Sequence, residues 1–163
     1  MKLLFGEHEI TLDEKNRLLI PSDIRRAFEP EKQDSEAFFL VVGINKVLWL
    51  WPERKYEEMA SQQDSELMPE DERLSSDQLN FGPVARLEWD KQGRTVLPEK
   101  FVRRGRLSKE LTLVGVRDHI ELWNRAEWEQ RQQELDDRRP EIALRNRQLE
   151  RAERQQDVAP AGR

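Results

Sequence analysis

Two copies of one pattern, 77 residues apart, constrain this chain more than any other feature. Asp13, Lys15, Asn16 and Arg17 make a polar loop that runs through Leu18, Leu19 and Ile20 to Pro21. Asp90, Lys91, Gln92, Gly93 and Arg94 make a second loop, running through Thr95, Val96 and Leu97 to Pro98. Asp13 to Asp90, Arg17 to Arg94 and Pro21 to Pro98 share the same spacing. Ahead of the first loop His8, Ile10 and Leu12 alternate with Glu7, Glu9 and Thr11, and Ala85, Leu87 and Trp89 take the same places ahead of the second. Period-two alternation marks a strand with one buried face. Proline has no N–H to continue a ladder, so each stretch reads as a hairpin or a sharp strand-to-strand reversal. Asn16 and Gly93 occupy one position, the exchange expected where the backbone needs a left-handed residue.

The repeat extends past the prolines. Residues 43–51 match residues 115–123 at a spacing of 72, and Tyr56 matches Trp128, so the first copy carries five extra residues, placed most simply within 31–36. Each copy is too short to bury a comfortable core alone, and the two are expected to share one. Within a copy the order is strand, loop, strand, a short helix (22–28 and 99–104) and a β-hairpin (37–51 and its counterpart). Pro52 then opens an amphipathic helix through Tyr56 and Met59. Asn124 and Glu127 form a capping-box start for a long helix, which Arg139 and Pro140 should break or kink. The domain reading is a first module at 5–60, an acidic connector at 61–82 holding at most a loose helical turn, a second module at 83–128, and a charged helix and disordered tail at 129–163.

Composition narrows the function. The chain lacks cysteine, so it has no disulfide framework and no thiol chemistry. The first five residues are too short for a signal peptide and no apolar run approaches spanning length, which points to a cytoplasmic protein without a membrane partner. His8 and His119 both fall in predicted strands with no second ligand at metal-like spacing. No nucleotide-binding or nucleophile motif occurs, so no enzyme, small-molecule substrate, metal or cofactor is expected. The net charge of −5 argues against indiscriminate nucleic-acid binding, but residues 83–128 hold ten basic and seven acidic side chains. A local basic patch can bind phosphate on an acidic protein, because exposed charges are screened beyond roughly 10 Å.

The loops are the candidate site. An exposed Asp–Arg pair that merely staples its own turn contributes little, which does not explain two copies with both residues at one spacing. In the functional reading Asp13 and Asp90 accept backbone N–H bonds and, with Asn16 and Gly93, shape the turns. Arg17 and Arg94 then project planar forks suited to phosphate or to guanine O6 and N7, and Lys15 and Lys91 add charge beside them. Trp51, Trp123, Tyr56 and Trp128 recur at core spacing and read as packing.

At these residues the sequence resembles the MraZ family of bacterial transcriptional regulators, built from two tandem SpoVT/AbrB-type swapped-hairpin modules. The first module supplies Gly6, His8, Leu12, Asp13, Lys15, Arg17, Leu18, Ile20 and Pro21. The second supplies Leu87, Asp90, Gln92, Gly93, Arg94, Pro98, Leu113, Gly115, Ile120, Glu121, Leu122, Trp123 and Trp128. The resemblance covers most of residues 5–128. It implies an α+β body whose modules interleave about a pseudo-two-fold axis, with flanking helices and a long C-terminal helix. It also implies a ring-shaped homo-oligomer, nucleoid-associated, that binds direct repeats in double-stranded DNA upstream of its own cell-division gene cluster and represses there, with Arg17 and Arg94 facing the DNA. Two departures stand out: Asn16 where glycine is usual, and an acidic connector where relatives carry an arginine-rich helix. An antitoxin-like interaction module that grips a partner protein with its tail is the alternative.

Overall fold

The computed structural model describes residues 3–28, 37–62 and 70–157. In chain order the elements are β1 (Glu7–Thr11), β2 (Arg17–Leu19), α1 (Ser22–Phe28), β3 (Ala37–Val42), β4 (Leu48–Pro52), α2 (Glu53–Ser61) and α3 (Asp71–Phe81). They continue as β5 (Val84–Glu88), β6 (Arg94–Val96), α4 (Glu99–Arg104), β7 (Glu110–Gly115), β8 (Ile120–Asn124), α5 (Arg125–Asp137) and α6 (Arg139–Asp157). The fold is α+β, with antiparallel sheets and a long C-terminal helix. By compactness the chain divides into residues 1–125, which carry every strand among the described residues, and residues 126–163.

A simple hairpin at either loop is ruled out by the pairing. The turns form, but their two arms enter different sheets. A six-stranded sheet runs β1-β7-β8-β4-β3-β5, and β2 pairs with β6 in a separate two-stranded ribbon. β1 of the first copy therefore lies on β7 of the second, and β5 of the second lies on β3 of the first. The physical reason is the apolar pattern: Ile10 and Leu12 of one arm and Leu18 and Ile20 of the other must all reach one core, which neither copy could close alone. That core draws on both copies, from Leu18, Ile24, Phe38 and Leu50 to Trp89, Phe101, Leu113 and Leu122. Trp89 sits among first-copy rings, 5.7 Å from Phe28 and 5.8 Å from Phe38.

The pairing is reciprocal. In the ribbon Leu18 lies opposite Thr95, its own counterpart in the repeat, and Arg17 and Leu19 lie opposite Val96 and Arg94. At the centre of the large sheet Trp49 faces its counterpart Glu121. Register also corrects the repeat itself. Val42 pairs with Leu48 across five residues, whereas Gly115 pairs with Ile120 across four. Val42, not Gly43, is thus the counterpart of Gly115, and the spacing is 73 in β3/β7 and 72 in β4/β8. One of the five surplus residues belongs to the first hairpin's loop, and the stretch assigned to the others, 31–36, lies outside the described residues. The two glycines aligned by sequence answer different crowding: Gly43 lies under the Trp49 ring, and Gly115 lies against the Phe5 backbone, donating to the Gly6 carbonyl at 2.9 Å.

Two further expectations change. The connector is not a loose turn over 71–81, where α3 makes an eleven-residue helix, tied to α2 by Tyr56 Oη donating to the Asn80 carbonyl at 2.9 Å and by Phe81 packing edge-on against Tyr56. His119 lies in the turn before β8 rather than in a strand. The long helix breaks as expected, at Arg138, with Pro140 in the first turn of α6; of the tail expected to be disordered, Asp157 ends α6 and 158–163 lie outside the described residues. Among the described residues no helix is long and apolar enough to cross a membrane.

Candidate nucleic-acid interface

Both loops are built by the same hydrogen bonds. Asp13 Oδ1 accepts from the backbone N–H groups of Lys15 and Arg17, both at 2.9 Å, and Asn16 N–H donates back to the Asp13 carbonyl at 3.0 Å. In the second loop Asp90 Oδ1 accepts from Gln92 at 2.9 Å and Arg94 at 3.0 Å, and Gly93 N–H donates to the Asp90 carbonyl at 2.8 Å. This is how a short acidic side chain substitutes for backbone partners in a tight turn. The closing position needs positive φ in both, 58° at Asn16 and 84° at Gly93. The Arg17 amide, and then its guanidinium, hold the Asp13 carboxyl below its usual range, and the Arg94 amide does the same for Asp90.

The loops also brace one another. Ile20 N–H donates to the Gly93 carbonyl and Leu97 N–H to the Asn16 carbonyl, both at 2.8 Å. The two bonds fix the ribbon's ends, and with them the direction of the arginines. Opposed residues in an antiparallel pair point to one face, and residues two apart share it. Leu18 and Thr95, each 2 % exposed, face the core. Arg17, Leu19, Arg94 and Val96 therefore share the opposite, outward face. The two arginines lie on its diagonal, where Cα atoms are roughly 7–8 Å apart in an antiparallel pair.

Both guanidiniums are partly committed to their own loops. Arg17 Nε donates to Asp13 Oδ2 at 2.7 Å and Arg94 Nε to Asp90 Oδ2 at 3.2 Å. That bond uses one edge of each fork and aims the rest outward, at side-chain exposures of 40 % and 45 %. Lys15 and Lys91 are exposed at the loop tips and, among the described residues, neither has an ion-pair partner. The basic stretch of the second copy does not all contribute, because Arg86 is engaged by Glu53 and by Glu88, the latter at 2.6 Å.

Reasoning from the repeat misses Arg25. It lies on α1, donates from Nε to the Ile20 carbonyl at 3.1 Å, and reaches across to Gly93, where a Cβ would meet its guanidinium. Its counterpart 77 residues on is Val102, so no repeated signal marks it. The aromatic residues are packed rather than presented. Trp51 stacks on His119 at 4.4 Å, Tyr56 stacks on Phe39 at 4.6 Å, and Trp123 Nε1 donates to Glu121 at 2.7 Å.

Comparison with known proteins agrees with the duplication. The chain matches the family described as "MraZ protein, putative antitoxin-like" over residues 3–77 and 81–152. It is similar to the transcriptional regulator MraZ of Pediococcus pentosaceus, with 33 % identity across 86 % of this chain and 94 % of that protein. It is also similar to the proteins of the same name from Moorella thermoacetica, at 28 % over 86 % and 94 %, and Clostridium tetani, at 25 % over 78 % and 86 %.

Proposed function

The chain belongs to the MraZ family, a family of transcriptional regulators and not of enzymes, and from that premise we propose that it regulates transcription by binding specific DNA sequences through the β2–β6 ribbon. The observation that carries this reading is the shared outward face of Arg17 and Arg94, flanked by Lys15 and Lys91. A two-stranded ribbon fits the major groove, about 12 Å wide, where an arginine fork can bond guanine O6 and N7. Asp13 and Asp90 act indirectly, by holding the forks and the turns in place, as do Asn16 and Gly93.

In this reading the topology is the AbrB-type swapped hairpin closed within one chain. One protomer offers few phosphate contacts, so several protomers joined in a ring would face successive direct repeats in the DNA upstream of the protein's own gene cluster, each gaining effective concentration from its neighbours. The protein would act in the cytoplasm, on the nucleoid, as a repressor. Affinity should then fall with salt at a log–log slope of about 0.9 per neutralised phosphate.

A gel shift on the DNA upstream of the gene, with a salt series, tests the reading. Arg17→Ala and Arg94→Ala should each weaken binding by about 1–3 kcal/mol while leaving thermal unfolding unchanged. Full affinity in both variants would reject the ribbon mechanism. The antitoxin-like alternative draws on α6, where Ile142, Leu144 and Leu149 are exposed. Removing residues 129–163 should release a co-purifying protein and spare DNA binding if that alternative holds.

A further inference from the structure

We propose that Leu19 and Val96 read thymine, by packing against its C5-methyl group in the major groove. The inference rests on the DNA-binding reading above and assigns the half of the ribbon that the arginines leave unexplained.

Leu19 and Val96 are 51 % and 55 % exposed. An antiparallel ribbon with one wet face ordinarily carries polar side chains there. A single exposed aliphatic residue needs no explanation. Here the two are repeat counterparts, 77 residues apart, and both are aliphatic and uncovered. In the second copy the inward neighbour is polar, Thr95, so the outward Val96 is not a by-product of a uniformly apolar strand.

Register sets the arrangement. Arg17 opposes Val96 and Leu19 opposes Arg94, so cationic and aliphatic positions alternate on a four-residue face. An apolar protein surface would offer no acceptor to the outward edges of the two guanidiniums, which their own aspartates leave open, and bare phosphate would leave the aliphatic pair in water. The DNA major groove satisfies both, since phosphates and guanine edges accept from arginine while thymine alone presents a methyl group. RNA fails on two grounds: uracil has no such methyl, and the A-form major groove is too deep and narrow to admit the ribbon.

The test compares two duplexes of the DNA upstream of the gene by fluorescence anisotropy, one natural and one with deoxyuridine replacing thymidine throughout. The full-length chain should bind the deoxyuridine duplex more weakly, by about fourfold for each methyl lost from contact. The Leu19→Ala/Val96→Ala variant should bind the two duplexes alike and keep the parent's salt slope, with a matching thermal melt showing that the ribbon is intact. Equal affinity of the parent chain for both duplexes overturns the inference and leaves the arginine mechanism standing, as does undiminished discrimination in the variant. Absence of salt-dependent binding to either duplex overturns both.

Discussion

The Asp13–Arg17 and Asp90–Arg94 turns share their backbone bonds but not their surroundings. Asn16 turns at φ 58° with room for its side chain, whereas Gly93 turns at 84° beneath the Arg25 guanidinium. A duplicated local motif can thus keep its geometry while the tertiary neighbourhood differs, so that a side chain at the second turn would have to displace Arg25. The same divergence runs through the core. Ile24 on α1 and Phe101 on α4 are counterparts, both buried, and so are Leu18 and Thr95. At the hairpin ends Val47 corresponds to His119, an aliphatic residue against a titrating one.

The largest test of this asymmetry is in the core. Phe101→Ala should lower unfolding stability by about 3–5 kcal/mol, and Ile24→Ala should fall toward the lower end of about 2–5 kcal/mol, measured by urea denaturation. Equal losses would mean that the two helices are interchangeable. Next come the turns. Gly93→Ala should cost about 1–2 kcal/mol from the left-handed backbone alone, while Asn16→Gly should stay within about 1 kcal/mol of the parent chain. A benign Gly93→Ala would show that the second turn relaxes out of positive φ.

Among the described residues the buried Thr95 hydroxyl has no hydrogen-bond partner, and Leu18 leaves no such polar group. Thr95→Val should therefore raise stability by about 1 kcal/mol, read as a higher thermal midpoint. The smallest effect concerns His119. Its burial opposes charge, but contacts with Glu121 and with Asp118, the latter at 2.9 Å, outweigh it and raise its pKa above the usual 6.5. The folded state then holds the proton more tightly than the unfolded chain, so its contribution is complete below pH 6.5 and is lost as pH rises through the folded value. The thermal midpoint should decline above pH 6.5, and His119→Val, which copies Val47, should remove that decline.

Much of the candidate site was legible because turn chemistry is local. An aspartate heading the turn, a residue tolerant of positive φ and an arginine at the exit specify the loop through contacts four residues apart or fewer. The short helices at 22–28 and 99–104 were legible for the same reason, being set by a proline or serine start and by spaced apolar residues. Helix α3 was not. Its apolar residues Leu74, Leu79 and Phe81 all remain substantially exposed, so no strong periodicity announced it, and the bond from Tyr56 to Asn80 joins residues 24 positions apart.

The sequence by itself determined that one unit occurs twice, where its turns fall and which residues point into a core, because side-chain period and turn geometry are properties of a few neighbouring residues. Only the tertiary structure decided which strand each arm joins, which put Arg17 and Arg94 on a single face and which brought Arg25 over the second loop. Strand exchange between copies depends on closing one core from two incomplete halves, and no window of neighbouring residues contains both halves.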